Sequence, residues 1–298
     1  MAYYLIGVCC NKSGIFFSMI LVIGGNGLLG QSLISRLSSE GNKVIGTTRR
    51  NSEVMGQSFF YLDLENFKDD TLFDKQFESI FICVSPSFTE NSLLNRNIVK
   101  IVTHFSSIGT QCVILSSNSV FDGKESFVSI ETELNPKTKY GREKAALEKE
   151  LKSFIDRIAI VRFSKVINKN FEIFSGWSQK LKTNSPIFPF FDMVMSPISL
   201  DLVIDILVCI WKNKSTGIFQ FSANSDLSYS ECADFLFSKL PNSERLIHPI
   251  SYKSEAIEFA PKNTTMDSYR VEKEFGISAP SPYESLEKCY EYLRKNKS

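Results

Sequence analysis

The sequence predicts an α/β fold, a doubly wound parallel sheet with a smaller C-terminal lobe. Three observations carry this expectation. An apolar run, Met19–Ile23, leads directly into a turn of four glycines between Gly24 and Gly30. Strand-like runs then alternate with stretches of helical periodicity to about residue 166. Such alternation makes βαβ units, whose parallel sheet is covered by helices on both faces. After that point the rhythm breaks, and 298 residues leave room for a second, smaller core.

Taken in order, Met19–Ile23 is continuously apolar, as a strand buried on both faces requires. Gln31–Ser39 reads as a helix, with Leu33 and Leu37 four apart on one side. Lys43–Thr48, Phe59–Leu62 and Ser79–Val84 follow as strands. Glu90–Ser106 sets Leu94, Ile98, Ile101, Val102 and Phe105 at helical spacing. Cys112–Leu115 is a strand, a long helix starts near Thr138, and Arg157–Phe163 returns to strand. Beyond these, Asn184–Pro197 is a loop rich in Pro and Phe, Asp201–Trp211 a helix and Gly217–Phe221 a strand. Shorter helical pieces lead to a basic tail, Arg294–Ser298.

The expected division is therefore residues 19–166 for nucleotide binding and 167–298 for the substrate, with 199–222 packing back on the first part. Residues 3–8 and 15–23 are apolar, but neither run reaches the roughly 20 residues of a spanning helix. Met19 has the place of an initiator before its strand, so residues 1–18 read as a dispensable extension.

Composition narrows the chemistry. With 34 basic and 33 acidic side chains, the net charge is +1, which excludes the strongly basic surface of a nucleic-acid binder. The chain is 43% hydrophobic and 22% charged, a globular balance with no membrane segment. Seven cysteines (Cys9, Cys10, Cys83, Cys112, Cys209, Cys232 and Cys289) are odd in number and form no C-x-x-C pair. That pattern points to reduced thiols in a cytoplasm, and to neither a zinc site nor another metal centre. Cys83 and Cys112 read as small core residues. His104 and His248 are the only histidines; His104 is expected to be solvated or hydrogen-bonded, with no role. Proton transfer must fall to another residue type.

The glycine turn supplies the first functional motif. Gly24, Gly25, Asn26, Gly27, Leu28, Leu29 and Gly30 satisfy both G-x-G-x-x-G and G-x-x-G-x-x-G. Set between a strand and a helix, this pattern is the Rossmann fingerprint, which brings backbone and a helix N-terminus to a pyrophosphate. The following strand ends at Thr48-Arg49-Arg50, with Glu53 beyond it and no acid at its tip. An NAD site expects an acid there for the ribose diol. Arg49 and Arg50 instead suit a 2′-phosphate through charge-assisted bonds, so NADP(H) is expected over NAD(H).

Tyr140 and Lys144 lie four apart, on one face of the predicted helix. An ammonium beside a phenol favours the phenolate and makes tyrosine usable for proton transfer. Tyr269 and Lys273 share the spacing but read as part of a surface helix. The first pair opens the helix that follows the fifth strand, downstream of Ser116, Ser117 and Ser119 at that strand's carboxyl end, where doubly wound folds place ligands; the later pair has no such partner.

With these motifs in order, the chain resembles the extended short-chain dehydrogenases/reductases, in particular the dTDP-4-dehydrorhamnose reductase family. The resemblance rests on Met19–Gly30, Leu94-Asn95, Leu115–Gly123, Tyr140-x-x-x-Lys144, Val161–Ser164, Pro261–Ser268 and Glu272–Ile277. It covers nearly everything after Met19. The resemblance implies NADPH-dependent reduction of a keto group on a nucleotide-activated sugar in carbohydrate biosynthesis. It also implies a Ser117 hydroxyl on the reacting oxygen, Tyr140 as acid, Lys144 on that acid and the nicotinamide ribose, and Asp63 near the adenine. A homodimer is left open.

Departures bear on the reaction. Where the family reads Ser-Thr-Asp-Tyr-Val-Phe, this chain has Ser116-Ser-Asn-Ser-Val-Phe121. Asn118 and Ser119 cannot supply the acidic pair of the related sugar-nucleotide dehydratases, which favours simple carbonyl reduction. Asp192 and Pro197 fit the family's substrate loop, whereas Met193, Met195 and Ile198 depart from it. Phe188, Phe190 and Phe191 are expected to pack the small lobe. The alternatives are an NAD(P)-dependent sugar-nucleotide epimerase and a non-catalytic, NADP-binding regulatory subunit.

Overall fold

The computed structural model describes residues 19–49, 59–67, 72–84, 93–238 and 243–295. Residues 1–18, together with Arg50 and Glu53, lie outside them. The first half alternates as expected. β1 (Met19–Ile23) is followed by α1 (Leu28–Ser39), β2 (Lys43–Thr48), β3 (Phe59–Tyr61) and β4 (Ser79–Ile82). Next come α2 (Leu93–Ser107), β5 (Gln111–Ser117), α3 (Lys139–Leu151), β6 (Ile158–Phe163) and β7 (Lys165–Ile167). The second half holds α4 (Glu172–Lys182), β8 (Val194–Met195), β9 (Pro197–Ser199), α5 (Leu200–Lys212) and β10 (Gly217–Phe221). It ends with β11 (Leu227–Ser228), α6 (Tyr229–Phe237), α7 (Tyr269–Phe275) and α8 (Pro282–Lys295).

Seven strands form one sheet in the order β10-β6-β5-β4-β1-β2-β3, and every neighbouring pair in it is parallel. Because side chains alternate along a strand, each strand feeds two cores. Ile20, Val22, Phe81, Val113 and Val161 face α1 and α5. Leu21, Ile23, Ile80, Ile114 and Ile160 face α2 and α3. A third cluster joins α4, α6 and α8 through Phe174, Leu181, Leu236 and Leu286. The strand order reverses between β1 and β4. Carboxyl ends on either side of such a point open a crevice for ligands.

Several boundaries differ from the expectation. α1 starts at Leu28, three residues before Gln31, because Gly27 already serves as its N-cap. β4 stops at Ile82, which leaves Cys83 half-buried in the crevice rather than in the strand core. Cys112 is fully buried, and all five described cysteines are free thiols. The Pro- and Phe-rich stretch contains β8, paired antiparallel with β11, and leads into β9, which pairs parallel with β7. Arg294 and Lys295 belong to α8 rather than to a tail.

His104 also departs from expectation. Its ring meets Phe73 and Phe105 edge-on, at centroid distances of 4.8 and 4.9 Å. Its buried Nε2 finds no hydrogen-bond partner among the described residues. Aromatic packing holds the Nε2 side of this half-buried imidazole.

Candidate active site and cofactor cleft

The glycine turn is built by close backbone contact. A Cβ on Gly30 would lie 2.3 Å from the Gly24 carbonyl oxygen, so any side chain there forces α1 away from β1. The Gly24 N–H donates to Thr47 Oγ1 at 3.1 Å, tying the turn to β2, and Gly25 packs on Gly46. Gly27 meets only the Gly24 oxygen, 3.4 Å from an added Cβ. Leu28 is exposed, while Leu29 reaches the wall of a second cavity.

Helix α1 has no side-chain cap and no acid in its first turn. Its leading N–H groups and positive dipole end are therefore available to an anion. They border a cleft of about 220 Å³ lined by Asn26, Gly27, Thr48, Arg49 and Asp63. A dinucleotide fits this donor set: an N-terminal helix dipole for the pyrophosphate and a guanidinium at the tip of β2. Asp63 also shapes the cleft's floor, accepting from the Glu65 N–H at 3.0 Å and from Asn66 Nδ2 at 2.8 Å. The Asn66 bond, outweighing burial, holds its carboxyl below the ordinary range, with smaller help from the Glu65 N–H and Arg49.

A larger cavity of about 530 Å³ shares Cys83 and Val84 with that cleft. Ser117, Tyr140 and Lys144 all line it, although 27 positions separate the first from the last. Ser117 is the last residue of β5, and its Oγ accepts from the Ser119 N–H at 3.1 Å. Tyr140 stands in the first turn of α3, which Thr138 caps by accepting from the Gly141 N–H at 3.0 Å. The Ser117 hydroxyl and the Tyr140 phenol line the same cavity wall. Burial pushes the Tyr140 phenol above its ordinary value, and the Ser117 hydroxyl partly opposes that rise.

Lys144 lies one turn further along α3, buried, with Nζ 6.0 Å from the Tyr140 ring centroid. Its ammonium donates to the carbonyls of Val84 at 3.0 Å and Leu115 at 2.8 Å. Burial lowers its pKa to about 8, against the opposing pull of Cys83 and Glu148.

Two residues that the motif reading passed over hold this wall. A Cβ on Gly141 would lie 2.0 Å from the Ser119 carbonyl oxygen, so only glycine lets α3 seat against the end of β5. Glu148, one turn beyond Lys144, forms a buried ion pair with Arg162 of β6 at 2.7 Å and accepts from the Ser116 hydroxyl. Arg162 Nη1 reaches Gln220 Oε1 at 3.4 Å. The signal for the pair was an arginine inside an apolar strand, which burial obliges to find a carboxylate.

The far wall of the cavity comes from the C-terminal lobe and includes Met193, Met195, Tyr229 and Phe259. Asp192 faces away, accepting from the Ser251 hydroxyl and, at 2.8 Å, from the Tyr252 N–H. Ile198 is core. Among the three phenylalanines, Phe190 packs against the lobe's core, but Phe188 and Phe191 are half-exposed. Phe188 stacks on His248 at 5.9 Å, and none of the three lines the cavity. Tyr269 and Lys273 sit on α7, with Tyr269 63% exposed and away from the site.

A glycine turn at the switch point of a parallel sheet, opening into this cavity, defines an extended short-chain dehydrogenase/reductase, a class of NAD(P)-dependent oxidoreductases. More closely, the chain belongs to the RmlD substrate-binding domain family, whose model matches residues 18–295.

No curated protein matches the chain, but solved structures do. One is a dTDP-4-dehydrorhamnose reductase from Clostridium acetobutylicum, 21% identical with a TM-score of 0.76, covering 94% of this chain and all of the other. Another is a dTDP-4-dehydrorhamnose reductase from Bacillus anthracis in complex with NADP, 19% identical, TM-score 0.75, covering 92% and 98%. MoeE5 in complex with UDP-glucose and NAD is 20% identical, TM-score 0.75, covering 94% and 100%. At these identities the likeness is one of fold. Among the described residues, no helix is long and apolar enough to cross a membrane.

Proposed function

We propose that this protein is a cytoplasmic reductase that uses NADPH to reduce a keto group on a nucleotide-activated sugar. The observation that carries the reading is that Ser117, Tyr140 and a buried Lys144 line one wall of a cavity that abuts the glycine cleft. Residues 19–166, with 199–222 packed against them, would bind the cofactor, and the rest of 167–298 the sugar nucleotide. Gly24, Gly25, Asn26, Gly27, Leu28, Leu29 and Gly30 would cradle the pyrophosphate. Arg49, with Arg50, would pair with the 2′-phosphate, and Asp63 would border the adenine side. When bound, the nicotinamide supplies the hydride.

The protein's own part is to orient the carbonyl and supply the proton. Ser117 donates to the carbonyl oxygen and holds it beside Tyr140. The Tyr140 phenol, kept protonated at neutral pH by burial, gives its proton to that oxygen. The Lys144 ammonium stabilises the phenolate left behind. Asn118 and Ser119 line the same cavity and carry no carboxylate, which supports reduction over the acid–base chemistry of dehydration.

NADPH oxidation followed against a panel of 4-keto nucleotide sugars tests the reaction, with NADH run in parallel. Turnover with NADPH preferred by tenfold or more is the expected outcome, and Arg49→Ala narrows that preference. Binding of NADPH without turnover of any member would point to the regulatory subunit instead.

Lys144 adds a pH dependence. Its ammonium is present below about pH 8 and lost above it, so kcat/KM for reduction falls as pH rises through that value. The same group makes the folded state relatively more stable between about pH 8 and 10.5, because there the unfolded chain holds more protons. The loss of rate is thus separable from unfolding. Lys144→Met is expected to be slow and to lack the alkaline limb; a wild-type profile flat between roughly pH 7 and 9.5 rejects the role.

A further inference from the structure

Two cations line the larger cavity among the described residues, Lys144 and Lys165. Lys144 is already committed to two backbone carbonyls. The Lys165 ammonium makes no hydrogen bond or ion pair with any described residue, and its Nζ lies 5.3 Å from the centroid of the Phe171 ring. The same cavity is lined by apolar Phe163, Val166, Met193 and Met195, by hydroxyl and amide side chains, and by one acid, the exposed Glu125.

The backbone holds Lys165 firmly in this position. It opens β7, directly after the end of β6, and is in register with Pro197 of β9. Strand alternation sends Val166 towards the core of the main sheet and Lys165 and Ile167 to the opposite face. Ile167 is anchored in the core of the C-terminal lobe, so Lys165 stands where that lobe meets the cavity. The residue keeps contact with solvent, and the packing around it lowers its pKa below the ordinary lysine value. An ammonium that lines a cavity without an ion-pair partner among the described residues is stabilised by an arriving anion.

We infer that Lys165 is the anion-binding residue of the substrate cavity and receives an anionic oxygen of the sugar nucleotide, from its diphosphate or from a carboxylate on the sugar. This rests on the sugar-nucleotide reading above and deepens it. The ammonium gives one charge-assisted hydrogen bond, and the apolar part of the wall strengthens it.

Isothermal titration of the NADPH-saturated protein tests the assignment, with dTDP, UDP, thymidine, UDP-glucose and UDP-glucuronic acid as probes. Lys165→Met is expected to weaken dTDP and UDP by about tenfold or more while leaving thymidine and NADPH unchanged. Lys165→Arg keeps most of the affinity. If instead dTDP and UDP are unaffected, but Lys165→Met abolishes a wild-type preference for UDP-glucuronic acid over UDP-glucose, the carboxylate is the source. Wild type and Lys165→Met binding every anionic probe alike overturns the assignment and leaves the reductase reading standing. A wild type that binds NADPH but none of the nucleotides overturns the sugar-nucleotide reading itself, and the subsite with it.

Discussion

Tyr140→Phe is expected to lower kcat for NADPH-dependent reduction by about 10²–10⁴-fold. KM and NADPH affinity should stay within about twofold of wild type. The substitution removes one oxygen from a ring that burial already holds in place, so the wall keeps its shape. What disappears is the proton donor. Ser117 still donates to the carbonyl, but it bonds to Asn118 Oδ1 at 3.3 Å and to Ser119 Oγ at 3.2 Å and has no ammonium partner to stabilise its alkoxide. A change that lowers kcat without raising KM marks an interaction made in the transition state. Single-turnover measurements on the accepted sugar nucleotide would separate the chemical step from release. Full activity in Tyr140→Phe would remove Tyr140 from the mechanism.

Arg162→Met is expected to destabilise the fold by about 3–5 kcal/mol. Arg162 and Glu148 are 2% and 6% exposed, and removing the guanidinium leaves the carboxylate buried with the Ser116 hydrogen bond and, one turn away, a Lys144 ammonium not bonded to it. That is the costly way to break such a pair, because the stranded charge keeps its full desolvation penalty. The thermal midpoint should fall by on the order of 10 °C. Removing both charges in Glu148→Leu/Arg162→Met should restore much of the loss, since apolar side chains of similar volume fill the space without stranding a charge. Chemical denaturation of the two variants decides it; an Arg162→Met protein within about 1 kcal/mol of wild type would mean the carboxylate finds water or a proton instead.

Where the sequence was clear, burial was the reason. Met19–Ile23, Lys43–Thr48 and Gly217–Phe221 were read with the boundaries the structure gives them; the first is apolar along its full length, and the other two carry a short apolar run beside a glycine. β8 and β9, of two and three residues, are held by pairing with distant strands and have no periodicity of their own to read. The site divides in the same way. Tyr140 and Lys144 share a helical face that spacing alone reveals, and Ser117 closes a strand whose end is marked by a run of serines. Glu148 looked like one more charge on a polar helix, and its burial becomes visible only once α3 lies across β6. Lys165 follows a recognisable motif, yet nothing local distinguishes a cavity lysine from a solvated one.

The Gly141–Ser119 contact has a consequence for how this protein can be altered. One wall of the cavity is rigid: the turn after β5 and the start of α3 meet backbone to backbone, with no room for a methyl group, so the serine and tyrosine keep their separation whatever enters. The opposing wall is of another kind. Met193 and Met195 are unbranched side chains that can repack around a new shape at little strain. New substrates are therefore to be sought by changing the methionine side, where errors of an ångström are absorbed. On the glycine side, the same error would displace the proton from its target.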